Sequence, residues 1–135
     1  MRRHRVPWLA TVAIALGLAC AARLKLVSAK AEPVVLSPGQ KGRIEVAFAG
    51  AKARVGSVQA VVREYPEYTI RLNDEGRMGD AVAGDGIWSY EFPVPFDAPA
   101  QKYHVDIVVK DKAGKVLKLG KAETGPAATI VVEVR

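Results

Sequence analysis

Apolar and polar residues alternate with a period of two along most of the chain. "GRIEVAFAG" (42–50) sets Ile44, Val46 and Phe48 against Arg43, Glu45 and Ala47. "VGSVQAVVREY" (55–65) gathers Val58, Ala60 and Val62, and "EYTIRLN" (67–73) gathers Tyr68, Ile70 and Leu72. "IWSYEF" (87–92) does the same with Trp88, Tyr90 and Phe92. In "KYHVDIVVK" (102–110) the apolar set is Tyr103, Val105, Ile107 and Val109, and in "ATIVVEVR" (128–135) it is Ile130, Val132 and Val134. Successive side chains of a strand point to opposite faces, so each run predicts a strand with one buried face. Two shorter runs add to these. "PVVLS" (33–37) reads as an opening edge strand, because Pro33 brings no ladder donor, and "KVLKLG" (115–120) as a short strand or hairpin arm. Beyond residue 29 no apolar period of 3.6 is sustained, so no helix is predicted there.

Gly and Pro fall between these runs, in "SPGQKG", "DEGRMGDAVAGDG", "PVPFDAPAQ", "DKAGK" and "ETGPA". Seven or eight short strands with regular turns over about 100 residues predict an all-β fold, a two-layer antiparallel sandwich of immunoglobulin-like type.

The first 29 residues break the pattern. "MRRHR" is cationic, "VPWLATVAIALGLACAA" carries no charge, and "VSA" (27–29) offers modest side chains to a signal peptidase. This order predicts a signal peptide over 1–29, a domain over 30–135, and a periplasmic or secreted location. An uncleaved N-terminal anchor is the second reading and a lipid on Cys20 the third. Cys20 is also the single cysteine of the chain. The domain beyond it has no disulfide, thiol nucleophile or cysteine metal ligand to offer.

Charge follows the same division. The net charge is +6, but Arg2, Arg3, Arg5, Arg23 and Lys25 precede residue 30. The remainder holds 15 basic (20 − 5) and 14 acidic residues, with Lys and Arg scattered singly. A nucleic-acid footprint needs clustered cations, so the sequence predicts no nucleic-acid partner.

The acid- and glycine-rich stretch "NDEGRMGDAVAGDGIW" (73–88) is the main candidate site. Asp74, Asp80 and Asp85, with Asn73, Glu75 and backbone carbonyls, form a candidate calcium site of weak affinity, although the spacing is not that of an EF-hand. The competing reading is turn chemistry, in which Asp side chains bond nearby backbone and Gly takes positive φ. The stretch with its flanks, "LNDEGRMGDAVAGDGIWSYEFP", resembles a strand connection of bacterial extracellular immunoglobulin-like and fibronectin type III-like modules, and "YHVDIVVKDKAGK" resembles a later strand and turn of the same modules. That resemblance implies a β-sandwich over roughly residues 33–134 that serves as a spacer, stalk or adhesive unit.

Little else suggests chemistry. His104 has outward parity beside Lys102 and Asp106, no "G-x-S-x-G" is present, and Ser37, Ser57 and Ser89 lie in no nucleophile context. Trp88, Tyr90 and Tyr68 are expected in the core, while Tyr65, next to Pro66, is a candidate binding aromatic. The sequence therefore predicts no enzyme. It reads as a non-catalytic interaction or display module for an unknown protein or glycan of the cell envelope. A small carbohydrate-binding module is the alternative, and a small hydrolase the weaker one. No cofactor is expected beyond weakly held calcium, and no membrane contact beyond the N-terminal anchor or lipid.

Overall fold

A computed structural model describes residues 23–75, 84–119 and 125–135. Among these residues eight strands form two sheets: β1 (Lys25–Glu32), β2 (Val35–Leu36), β3 (Lys41–Ala49), β4 (Val55–Val62), β5 (Thr69–Arg71), β6 (Ile87–Pro93), β7 (Lys102–Asp111) and β8 (Ala128–Val134). The order is β1-β3-β6 in one sheet and β2-β8-β7-β4-β5 in the other. Among the described residues the only helical element is one 3-10 turn, Lys52–Arg54. The all-β fold and its antiparallel sheets are as the alternation predicts. One pairing differs, since the two-residue β2 runs parallel to β8.

Parity builds the core. Ile44, Val46 and Phe48 from β3 meet Val58 and Ala60 from β4 and Val105, Ile107 and Val109 from β7, all buried in one cluster with Ile130, Val132 and Val134 of β8. Fully burying one such side chain stabilises the fold by about 1.5–3 kcal/mol, so this shared layer holds the two sheets together without any disulfide.

Three elements depart from the expectation. β1 starts at Lys25, so the expected junction between residues 29 and 30 falls inside a strand. β1 pairs with β3 from Lys25↔Ala49 to Glu32↔Arg43, and Leu26 and Ala29 pack on the core. The Arg23 carbonyl accepts the Ala51 N–H at 3.2 Å. Gly50, at φ 77°, is required there, because a Cβ would overlap the Arg23 carbonyl oxygen. The irregular register after Leu26 hid this strand from a strict period of two. The second departure is 115–120: in place of a strand, Val116 makes a single bridge to Lys110. The third is Tyr68, which is 53% exposed rather than in the core, while Tyr65, Trp88 and Tyr90 are half-buried against it. Pro66 lies in the turn between β4 and β5, where Tyr68 N–H donates to the Tyr65 carbonyl at 2.9 Å, and this turn breaks the alternation.

Residues 1–22, with Cys20, lie outside the described residues, as do 76–83 and 120–124. Among the described residues no helix is long and apolar enough to cross a membrane.

Candidate functional site

Antiparallel strands send alternate connections to the same end of a sheet, and this gathers residues that are distant in sequence. β3 runs toward Ala49, β4 returns from Val55, and β7 runs down to Asp111, opposite Val55. The β3–β4 loop and the turn after β7 therefore meet. Ala51, Ala53 and Arg54 share a shallow depression with Asp111, Lys112 and Ala113. Arg23 and Lys25 join through the Arg23–Ala51 hydrogen bond and the Lys25↔Ala49 pairing. Lys52 reaches the β6 side, where its Nζ donates to the Asp85 carbonyl at 3.3 Å. Lys110 and Lys115 flank the turn that follows β7.

One end of the sandwich thus carries Arg23, Lys25, Lys52, Arg54, Lys110, Lys112 and Lys115. All are exposed except Lys110, which is half-buried. None of these cations is ion-paired among the described residues, whereas Lys30, Lys41 and Arg43 on the outer face of the β1-β3-β6 sheet all are. Lys30 contacts Glu32 at 3.4 Å and Glu45 at 3.9 Å, Lys41 contacts Glu91 at 3.7 Å, and Arg43 contacts Glu45 at 3.3 Å. The carboxylates near the cationic end are turned to backbone. Asp74 Oδ2 accepts the Gly86 N–H at 3.1 Å and Asp85 Oδ1 the Ile87 N–H at 2.9 Å. Asp111 Oδ1 accepts the N–H groups of Ala113 and Lys115, both at 2.9 Å. The carboxylates shape the turns, and the long cationic side chains face solvent.

Sequence reading missed this cluster because it scanned for neighbours along the chain. The available signal was connection parity. "GAKARVG" and "DKAGK" each follow a strand that runs the same way, so their cations had to share an end.

The residues singled out from sequence lie outside this cluster. Asp74 and Asp85 occupy one connection, where Gly84 N–H donates to the Asp74 carbonyl at 3.0 Å and Asn73 bridges Ser89. Asp80 lies outside the described residues. Among the described residues no group of three His, Cys, Asp or Glu side chains is placed to hold a metal. Tyr65 stacks at a tilt on Tyr103, with ring centroids 6.1 Å apart. His104 Nδ1 lies 2.6 Å from Glu64 Oε2, and the His104 N–H donates to Glu64 Oε1 at 2.9 Å. These contacts, the His104 side-chain one foremost, hold the Glu64 carboxyl below its ordinary range. Asp106 ignores the adjacent histidine. Its Oδ1 accepts from Arg63 and from Thr129 Oγ1, both at 2.8 Å, and the Arg63 bond chiefly lowers its pKa. No serine joins either pair, so the acid and the histidine do not form a triad.

No protein-family model and no curated protein matches the chain. Among solved structures it is similar to the Pseudomonas fluorescens alkylpurine DNA glycosylase AlkC bound to DNA containing an abasic site analog, with a TM-score of 0.51 and 14% identity. The match covers 90% of this chain and 33% of that one, so this chain spans about a third of its length. At this identity the likeness is one of fold. It still corrects three expectations. The lack of a nucleophile or triad context predicts no enzyme, and the scattering of cations along the sequence predicts no nucleic-acid partner. A fold of this kind also forms part of a DNA-bound glycosylase, so neither exclusion follows from the fold. The reading as a non-catalytic display module at the cell envelope, which rested on both, falls with them.

Proposed function

We propose that the chain is a nucleic-acid-contacting β-sandwich domain that grips the phosphate backbone of duplex DNA with its cationic end. The observation that carries this reading is the convergence of seven cations from the N-terminal strand, the β3–β4 loop and the turn after β7, none of them ion-paired among the described residues. Unpaired lysines and arginines gain from displacing the counterions condensed on DNA, and that gain carries no base preference. The DNA-bound glycosylase supports the reading as a precedent for the fold beside DNA. Four of the seven cations, Lys52, Arg54, Lys112 and Lys115, belong to short loops braced by Asp111 or by Gly50, which limits the ordering cost of binding.

The cationic and apolar N-terminal segment supports an extracytoplasmic location, and the two-sheet sandwich supports kinship with bacterial immunoglobulin-like and fibronectin type III-like modules. The duplex met by this domain is then DNA outside the cytoplasm.

Fluorescence anisotropy with a labelled duplex tests the proposal. The double variant Lys52→Glu/Arg54→Glu should lose at least about tenfold in affinity at 50 mM salt, since two phosphate contacts become repulsions. Lys30→Glu/Lys41→Glu, which changes net charge equally on the ion-paired face, should lose much less. Equal losses would mean that binding follows net charge and not the cationic end.

A further inference from the structure

The opposite end of the sandwich is built for a different ligand. After Arg71 the chain leaves β4 and crosses to the other sheet, where Asn73 bridges Ser89 of β6. Among the described residues the rest of that β6 edge, Tyr90 to Pro93, has no strand partner. The sheets are spread there, and a cavity of about 710 Å³ opens between them. This lies within the range of about 300–1,000 Å³ usual for small-molecule sites.

Its lining has a definite chemistry. Five aromatic residues contribute, Tyr65, Tyr68, Tyr90, Phe92 and Tyr103. The Tyr103 hydroxyl is already engaged, donating to the Pro99 carbonyl at 2.7 Å, so its ring serves as wall and not as hydrogen-bonding group. Among the described residues the charged members of the lining are Glu67 and Asp97, both acidic and both exposed at the rim. Three cations of this end are engaged elsewhere, Arg63 with Asp106, Lys41 with Glu91 and Arg135 with Glu133, and Lys102, at the start of β7, is not part of the described lining. Aromatic rings attract a cation through their quadrupole, and rim carboxylates add long-range attraction while repelling anions.

We propose that this cavity binds a small organic cation with an apolar body, such as an alkylated or aromatic ammonium. The apolar walls take up the body, the rings face the charge, and Glu67 and Asp97 select its sign. The cavity lies at the end opposite the cationic loops, so the proposal stands or falls independently of DNA binding.

Phenyltrimethylammonium is the probe, with tert-butylbenzene as its uncharged isostere and benzenesulfonate as the anion. Ligand-observed NMR titration of the full chain at low salt measures all three. The cation should bind saturably at roughly 0.1–1 mM, the range open to a ligand of about ten heavy atoms with modest efficiency. The isostere should bind at least about fivefold more weakly and the sulfonate not at all. Tyr68→Ala should weaken the cation severalfold. Glu67→Gln/Asp97→Asn, both at exposed positions, should weaken the cation but leave the isostere unchanged. Equal affinity for cation and isostere, binding of the sulfonate, no saturation by the cation below about 10 mM, or indifference to both variants would each overturn the proposal.

Discussion

The two ends of this sandwich share one core and carry opposite chemistry. At one end a strand start and two short turns gather seven cations, six of them exposed and none ion-paired among the described residues, and nearby aspartates bond backbone N–H groups. At the other, cations are tied into pairs such as Arg63–Asp106, and aromatic rings with an acidic rim line a cavity. Strand alternation explains neither, because it sorts side chains between inside and outside and says nothing about the two ends. Polarity along the strand axis arises from where the connections fall. A charge of nearly zero over the domain can therefore hide a strongly polarised molecule.

The largest effect expected is on the core that both ends rest on. Ile107, fully buried midway along β7, should cost about 2–5 kcal/mol when cut to Ala, and urea unfolding reads it. Both ends should lose function only in step with folding. An end that fails before the core melts would mean that it is not held by that core.

Next in size is the N-terminal strand. A chain that begins at Lys30 lacks Leu26 and Ala29 from the core and most of the β1–β3 ladder, and also loses Arg23 and Lys25 from the cationic end. Compared with a chain that begins at Arg23, it should lose about 2–4 kcal/mol, mainly the burial of Leu26 and several ladder hydrogen bonds. DNA affinity should fall as well. Identical melts of the two chains would show that β1 is dispensable before residue 30.

This strand marks the limit of what the sequence discloses. β3, β6, β7 and β8 were legible from their period-two alternation, and β4 from Val58 onward, past the irregular register between Val55 and Ser57. β1 was not, because its irregular register after Leu26 breaks the period and its first residues follow an apolar sequence that masks them. The exposure of Tyr68 was hidden for a related reason. Its parity matches that of Ile70, but the turn at Pro66 decides its direction. In the acidic loop Asp85 accepts the Ile87 N–H two residues on, a local bond of the Asx kind, whereas Asp74 accepts the Gly86 N–H across twelve residues, a bond that no local pattern discloses. The cationic end required the strand order, since Lys52, Arg54, Lys112 and Arg23 are adjacent only in space.

A smaller effect sharpens the contrast by acting in two directions at once. Asp111→Ala removes the acceptor of the Ala113 and Lys115 N–H groups and should cost about 1–2 kcal/mol. The same change removes a negative charge from the cationic end, so DNA affinity should rise two- to threefold. A fall in affinity would mean that turn rigidity matters more than charge.

The smallest effect concerns the ion pairs of the other end. The Asp106 carboxyl is held below its ordinary range, chiefly by the Arg63 hydrogen bond and also by Thr129, against the opposing effect of partial burial. A depressed pKa contributes stability above the unfolded value near pH 4, lost as pH falls through the folded value. Asp106→Asn should therefore lower the Tm slightly at pH 7, and the difference should close toward about pH 3. A difference that persists unchanged in acid would show that packing of Asp106, and not its charge, is what the fold uses.

The salt dependence of duplex binding tests the central claim most directly. If the cationic end neutralises three to five phosphates, log K should fall linearly with log salt at a slope of about −3 to −4.5, from micromolar binding at 50 mM. The Lys52→Glu/Arg54→Glu variant should show both weaker binding and a slope shallower by about two. A wild-type chain that fails to bind duplex DNA at 50 mM salt, or binds with a slope near zero, would contradict the assignment of this end to the phosphate backbone.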